Sequence, residues 1–438
     1  MKGIFMKTLF PALLLLAAAL QWSASVQAEN PAPSANPVKS QLPLEELRTF
    51  TQVFDQIRQA YVEEIDDKTL LKNAIIGMLA ELDPHSTYLD QDAFDSLQEH
   101  STGEFGGLGI EVAMENGLVK VISPIDDTPA AKAGIKAGDL IIKLDDQAVQ
   151  GMNLQEAVGL MKGEAGDSIQ LTIIRAGEEK PLEIELVRAI IKVRSVRNDM
   201  LEPDYGYVRI SQFQEHTGEQ FIESLTSLKK DSPLLKGIVL DLRNNPGGLL
   251  GASIEVADAI LEEGLIVFTK GRLGAANIRH TAKPGDILSG LPIVVIINSG
   301  SASAAEIVAG ALQDHRRALV VGTTSFGKGS VQTVLPISEG RAIKLTTARY
   351  FTPNGRSIQA EGIAPDIRIP DAELRYLDSS LSLKEKNLAG HLDNDQEHAT
   401  KTDQTSRLAD DHQLLEALNL LKAANWLRQP KVRTESQL

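Results

Sequence analysis

Between residues 189 and 370 one pattern recurs: a short apolar run, a glycine-rich turn, then a segment with helical periodicity. GIVLDL runs through RNNPGG into LLGASIEVADAIL, PIVVIIN runs through SGSAS into AAEIVAGALQ, and RALVVGT leads into TSFGKGS. Short apolar runs bounded by glycine read as buried strands, and strands alternating with helices build a layered α/β domain. The expected fold class is therefore α/β. In such domains reacting groups gather at the turns that leave the strands, so these three turns are the candidate sites.

The rest of the chain divides around this core. Residues 102–188 carry short β-like runs (GLGIEVAM, LVKVIS, DLIIKLDDQAV, SIQLTIIRAG, PLEIELVR) interrupted by one helix, NLQEAVGLMKG, with Leu154, Val158 and Met161 on one face. That order predicts a compact β-rich module inserted before the core. Within residues 29–101, a Pro/Asn/Ser-rich leader (29–43) precedes two amphipathic helices. Leu44, Leu47, Phe50, Phe54, Ile57 and Tyr61 mark the first; Leu71, Ile75, Met78 and Leu82 mark the second, before Asp83-Pro84 breaks the chain. They read equally as a helical cap or as a subunit interface. The tail, 371–438, is polar and of mixed charge over 385–412, hence expected to be mobile. Leu414, Leu418, Leu421 and Asn425 then mark a last helix, with Leu415 and Leu420 widening its apolar face.

Residues 1–28 read as a secretory signal, with Lys2 and Lys7 followed by an apolar stretch from Leu9 to Leu20 and small residues at Val26-Gln27-Ala28. The apolar stretch, roughly 12 residues, is short against the 20 or so that span a bilayer, so cleavage near Ala28 is favoured over an uncleaved anchor. The expected location is a bacterial periplasm. The net charge of −15 argues against nucleic acid or anionic lipid as the main partner. The chain has no cysteine, which excludes disulfides, thiolate metal sites, a cysteine nucleophile and cysteine-linked lipid.

The stretch Asn298-Ser299-Gly300-Ser301-Ala302-Ser303-Ala304-Ala305-Glu306 joins a buried strand to a helix. Small residues there let a substrate backbone approach, and the helix start points free N–H groups at it. Ser301 and Ser303 both qualify as a nucleophile, and a structural Gly/Ser turn is the plain alternative. In Gly322-Thr-Thr-Ser-Phe-Gly327-Lys328-Gly329-Ser330-Val331-Gln332 a lysine flanked by glycines can be pressed against another backbone. Burial disfavours its ammonium. Bringing a lysine from about 10.4 to near 7 costs roughly 4 kcal/mol and yields a usable base. Gln332 shares a face with Lys328 in a helix or a strand, where its amide could orient the amine or the serine. Asp241-Leu-Arg243-Asn244-Asn245-Pro246-Gly247-Gly248 leaves backbone N–H groups exposed at a tight turn, half of an oxyanion hole.

Other chemistries fit less well. Gly322-x4-Gly327-Lys328 nearly spells a phosphate-binding loop, but Gly329 stands where Ser or Thr should meet Mg²⁺ and a strand-like VQTVLPI follows. No Gly-x-Ser-x-Gly elbow is present, and the eight histidines lack zinc-type spacing. A non-catalytic scaffold that binds protein tails would explain 102–188 but not the Ser/Lys/Gln set.

Taken together the motifs resemble the C-terminal processing (tail-specific) serine proteases, whose core is crotonase-like. The resemblance covers roughly 44–370 and includes LDLRNNPGG, GSASAAEI, GTTSFGKGSVQ and TTARYFTPNGRSIQAEGIAPD. It implies that Ser303 is the nucleophile, Lys328 the general base and Gln332 the residue that positions it. The implied oxyanion hole takes the N–H of Ala304 and one from Gly247 or Gly248. Ala305 departs from the serine many relatives carry, without touching those roles. The module at 102–188 resembles a PDZ domain, with Gly106-Gly107-Leu108-Gly109-Ile110 as the loop that grips a chain-terminal carboxylate and the adjacent strand and helix as the peptide groove. Arg175 is a candidate reporter of peptide docking. The resemblance further implies exported protein substrates with free C-termini (peptidoglycan hydrolases among them) and an outer-membrane lipoprotein adaptor. The helices at 44–82 and 413–425 could carry the contacts of a homo-oligomer, and no metal or cofactor is expected.

Overall fold

The computed structural model describes residues 43–372, apart from 339, and residues 411–428. Residues 1–28, read above as a secretory signal, the leader up to residue 42 and nearly all of the polar stretch at 385–412 lie outside the described residues. The chain forms two units, residues 1–71 and 72–438.

In the first unit α1 (Leu44–Ala60) carries Glu45 and Glu46 in its first turn and Arg58 in its last, matching the helix dipole. Its Leu44, Leu47, Phe50, Val53 and Ile57 are all exposed. The next helix, α2 (Asp67–Ala80), starts where Asp66 accepts from the Thr69 N–H (2.9 Å) and hydroxyl (2.6 Å).

In the second unit β1 (Thr87–Leu89) leads to α3 (Gln91–Thr102), capped by the Asp90 carboxylate at the Ala93 N–H and ended by Gly103 at φ 74°. Next come β2 (Glu104–Gly107), β3 (Ile110–Glu115), β4 (Leu118–Pro124), α4 (Pro129–Lys132), β5 (Leu140–Leu144), β6 (Gln147–Ala148), α5 (Leu154–Met161), β7 (Ser168–Ile174), β8 (Leu182–Val187) and β9 (Ala189–Lys192). Strands β3-β4-β5-β7-β8 form one antiparallel sheet with β6 on β5, around a core including Val121, Ile141, Leu171 and Ile173. The module holds two helices where one was expected, the one-turn α4 with Pro129 in its first turn and the longer α5, which starts in a capping box, Asn153 with Glu156. Because β2 pairs with β9, this module enters and leaves through one two-stranded ladder. It is an insertion whose ends are held together.

The core continues through β10 (Val196–Glu202), β11 (Tyr205–Ile210), α6 (Thr217–Asp231), β12 (Gly237–Asp241), α7 (Leu250–Asp258), β13 (Leu265–Gly271), β14 (Arg279–Thr281), β15 (Ile293–Ile297), α8 (Ala304–Asp314), β16 (Leu319–Gly322), β17 (Ser330–Ser338), β18 (Arg341–Phe351) and β19 (Ile367–Arg368). A sheet of order β10-β11-β12-β15-β16-β19 is parallel from β11 onward. Strands β12 and β15 are buried throughout and alternate between two cores, as both-sided cover requires. Ile238, Leu240, Val295 and Ile297 pack with Phe221, Val256 and Val308 of α6, α7 and α8. Val239, Val294 and Ile296 pack with Leu414, Leu418 and Leu421 of the C-terminal helix (His412–Arg428). A second sheet, β1-β18-β13-β14 with β17 on β18, stands beside the first.

Arg243 fastens the C-terminal helix to the turn after β12. Its guanidinium reaches both oxygens of Asp241 (3.0 and 2.7 Å) and both of Asp411 (2.9 and 2.7 Å). Burial alone would raise the Asp411 carboxyl, but the Arg243 and Leu414 hydrogen bonds hold it below its ordinary value.

If this helix is a structural layer, Leu418→Ala, fully buried, lowers stability by about 2–5 kcal/mol, whereas Leu427→Ala, 76% exposed, changes it by less than about 0.5 kcal/mol. Thermal unfolding of both variants checks this; equal melting points would contradict it.

Candidate active site

Strands β12, β15 and β16 are parallel neighbours, so the turns that follow them lie along one sheet edge. Hydrogen bonds sew these turns together. The Ser301 hydroxyl, fully buried, donates to Leu242 O (2.8 Å) and accepts from the Asn298 N–H (3.0 Å). Asn298 Nδ2 donates to Asn244 Oδ1 (2.9 Å) while Asn244 N–H donates to Asn298 Oδ1 (2.9 Å). Ser301 is thus consumed as a staple between two turns.

Ser303 stands apart from that staple. It precedes α8 at φ 56°, ψ −112°, a backbone conformation that a non-glycine residue adopts only under constraint. The constraint is Glu306, whose carboxylate is fully buried. Oε2 accepts the Ser303 N–H (2.7 Å) and the Lys328 N–H (2.9 Å); Oε1 accepts the Gly327 N–H (2.7 Å) and the Ser325 hydroxyl (2.6 Å). One side chain therefore fixes the backbone of both the serine turn and the lysine turn. The glycines beside Lys328 are required by close approach: a Cβ on Gly329 would lie 2.5 Å from Gln359 N, and Gly327, at φ 91°, sits against residues 360–362.

Ser303, Ala304, Gly248, Lys328 and Gln332 line one cavity of about 300 Å³. Lys328 is half-buried, and burial pushes its ammonium below the ordinary lysine range. Lys344 adds to that push, while Asp83 and Glu306 oppose it. Tyr350 lies beneath the pair: its hydroxyl donates to Lys328 O and sits against the Ser303 hydroxyl. Burial drives the Tyr350 phenol well up, so it stays protonated. Among the described residues no hydrogen bond joins Ser303 to Lys328.

The two candidate glycines differ. The Gly247 N–H is taken by Asn245 Oδ1 (2.9 Å), and a Cβ there would meet Ser303 Cβ at 2.7 Å. The Gly248 N–H meets no acceptor among the described residues, and neither does that of Ala304 at the start of α8. A Cβ on Gly248, at φ 142°, would fall 2.0 Å from Phe213 O.

In the inserted module Gly106 and Gly107 lie in β2, Leu108 is buried, Gly109 takes φ 76°, and Ile110 opens β3. Gly109 O accepts the Thr128 hydroxyl (3.2 Å), which braces the loop. Arg175 is engaged inside the module, donating to both Asp139 oxygens (2.8 and 2.7 Å) and to Gly134 O (2.8 Å). It does not line the cavity that holds Ser303.

Sequence reading gave no role to four contributors. Glu306 carries a visible signal, since Ser303-x-x-Glu306 has capping-box spacing. Tyr350 and Thr346 lie in β18, within the TTARYF run that helped carry the resemblance but gave neither residue a role. Asp83, taken only as a chain breaker, sits in a turn docked on β18 through Thr346 Oγ1 (3.0 Å). His85 of that turn has its imidazole pushed down, first by burial and then by Lys328.

Comparison with known proteins identifies a family. The family model "Peptidase family S41" matches residues 204–369, a PDZ domain model matches 106–186, and "Activating protease CtpB N-terminal domain" matches 14–93. The chain is 50% identical over 385 residues to a carboxy-terminal-processing protease of Bartonella bacilliformis, covering 86% of this chain and 88% of the relative. It is 37% identical over 340 residues to the carboxy-terminal processing protease CtpA of Bacillus subtilis, covering 76% and 72%. Among solved structures, a photosystem II D1 C-terminal processing protease aligns at 31% identity and TM-score 0.44, over 74% of this chain and 93% of that one.

The Glu306 bridge makes a stability prediction. Glu306→Gln replaces an acceptor with an amide donor facing buried donors, at a cost of about 2 kcal/mol or more. Amide hydrogen exchange at Ser303 and Lys328 should quicken in the same variant. An unchanged melting point with unchanged exchange would contradict the bridge.

Proposed function

Since the chain belongs to peptidase family S41, as a serine-type carboxy-terminal processing protease with a PDZ domain, we propose that Ser303 and Lys328 are its catalytic pair. One observation carries this: a serine held at positive φ at a helix start and a lysine whose charge is disfavoured by burial line one cavity, with their backbones tied to a single carboxylate. The burial of Ser301 as a staple supports Ser303 as the nucleophile. The core's parallel sheet, flanked by α6, α7 and α8, supports the crotonase-like reading.

In this mechanism neutral Lys328 takes the proton from Ser303 Oγ as that oxygen bonds to the substrate carbonyl carbon. The N–H groups of Ala304 and Gly248 receive the oxyanion; Gly247, already bonded to Asn245, shapes the turn instead. The C–N bond breaks, Lys328 returns the proton to the leaving amine, and an ester on Ser303 remains. Water then attacks that ester, giving a proton to Lys328; as the C–Oγ bond breaks, Lys328 passes that proton to Ser303 Oγ, which restores the neutral amine and the hydroxyl and frees the acid product. Gln332 holds the amine in place. The PDZ domain presents the substrate: its Gly106–Ile110 segment, which runs from the end of β2 through Leu108-Gly109 into β3, takes the terminal carboxylate, and the chain lies along β3 beside α5. The targets are exported proteins, in keeping with the N-terminal signal.

Ser303→Ala and Lys328→Ala should each lower casein digestion by about 10³-fold or more, and Lys328→Arg should fail equally because a guanidinium stays charged. Retained cleavage in either lysine variant would reject the base; binding of tails without cleavage by the wild type would favour a scaffold instead.

A peptide substrate with an amidated C-terminus should be cut more slowly than its free-acid twin, read as kcat/KM for the pair. Equal values would remove the carboxylate grip.

A further inference from the structure

The turn Asp83-Pro84-His85-Ser86 does more than break the chain. Asp83 Oδ1 accepts the N–H groups of His85 (2.8 Å) and Ser86 (3.1 Å), and Oδ2 accepts the Ser86 hydroxyl (2.7 Å). The Ser86 hydroxyl in turn accepts the Thr346 N–H (3.1 Å), and β1 pairs with β18 at Thr87 and Lys344. The turn is therefore built onto β18, the strand that carries Tyr350. On the other side of β18, Gln332 stands opposite Thr346 at a bulge in the β17–β18 ladder.

The polarity of the contacts between these groups runs one way. An ionised carboxylate only accepts hydrogen bonds, so Thr346 must donate its single hydroxyl proton to Asp83 (3.0 Å). With that proton committed, Thr346 Oγ1 offers Gln332 only lone pairs. Gln332 must then present its Nε2, which donates to Thr346 Oγ1 (3.3 Å) and to Ser330 Oγ (3.0 Å). Both N–H groups of the amide are spent on the strand ladder. Its carbonyl oxygen is left as the open group, on a residue that lines the cavity with Lys328.

We propose that Asp83 and Thr346 are positioning residues for the hydrolytic reaction, setting the orientation of the Gln332 amide so that its carbonyl oxygen accepts from the Lys328 amine. An amine held this way keeps its lone pair free for the Ser303 proton. Were the Thr346 hydroxyl free to donate to Gln332 instead, the amide could turn over and set N–H against that lone pair, disabling the base. This inference rests on the reading of Lys328 as base. It adds that a turn some 260 residues earlier in the chain controls that base.

The charge of Asp83 has a separate effect. Lys328 faces Lys344 and Tyr350 from β18, Asp83 and His85 from the turn, and Glu306 from α8. Asp83 favours the protonated amine, so removing its charge lets Lys328 lose its proton at lower pH.

The test uses the full chain and kcat, KM and pH profiles on one peptide substrate. Thr346→Val removes the relay but keeps the carboxylate; kcat should fall by about 10- to 100-fold with KM within about twofold and the acid limb of kcat/KM unmoved. Thr346→Ser should restore activity. Asp83→Asn keeps an acceptor for the turn and should move the acid limb to lower pH. Combining Thr346→Val with Gln332→Leu should cost no more than Gln332→Leu alone. Wild-type kcat in Thr346→Val, or losses that multiply in the double variant, would overturn the relay. Lys328→Ala in the same assay reports on the base independently: if it stays active, the underlying reading fails, whatever the relay variants do.

Discussion

A carboxylate buried without water must find donors or lose its charge, and Glu306 finds four. Two come from the turn that carries Lys328, one from Ser325 just before it, and one from Ser303 itself. Because Glu306 also sits in the first turn of α8, a helix buried along almost its whole length, the carboxylate cannot drift without disturbing the core. The small residues of that helix, Ala304, Ala305, Ala309, Gly310 and Ala311, are what let it sink so deep between the sheets. The site's geometry is thus an extension of the core's packing.

The same economy appears at the edges of the cavity. Parallel strands bring three turns to one edge, and each turn gives a different kind of group: backbone N–H from the Gly248 turn, hydroxyl from the Ser303 turn, amine from the Lys328 turn. The second sheet closes the site from the side with Gln332 and Tyr350. The inserted PDZ domain hangs from the β2–β9 ladder, and α3, which leads into that ladder, contributes His100 and Ser101 to the cavity wall. In the proposed docking mode a peptide on β3 would lie on a module whose root adjoins the cavity, a short physical route from substrate capture to Ser303 and Lys328.

Much of this could be read from sequence because it is local. Two strand–turn–helix units, the β-rich insertion and the C-terminal helix each declare themselves through apolar periodicity; the third turn, after β16, leads into β17 rather than into the helix of the recurring pattern. The glycines around Lys328 announce a close backbone approach, which residues 359–362 supply. What sequence could not yield depends on contacts between distant segments. Asp83 and Thr346 are 263 residues apart, and no periodicity links them. Ser301 and Ser303 were equivalent by composition, and only the family resemblance favoured Ser303; the hydrogen bond of Ser301 to Leu242, 59 residues away, adds a physical difference between them. Gly247 and Gly248 likewise look alike in sequence; they differ through Asn245, whose side chain occupies the Gly247 N–H.

All of the chemistry turns on whether the amine at 328 sheds its proton near neutral pH. The direct measurement is an NMR titration of the isotope-labelled lysine side chains of the Ser303→Ala protein, with the Lys328 signal assigned by its loss in Lys328→Arg. The account predicts that this one lysine titrates well below the ordinary value near about 10.4, apart from the surface lysines. A Lys328 signal that titrates with the rest would leave Ser303 without a base and contradict the account.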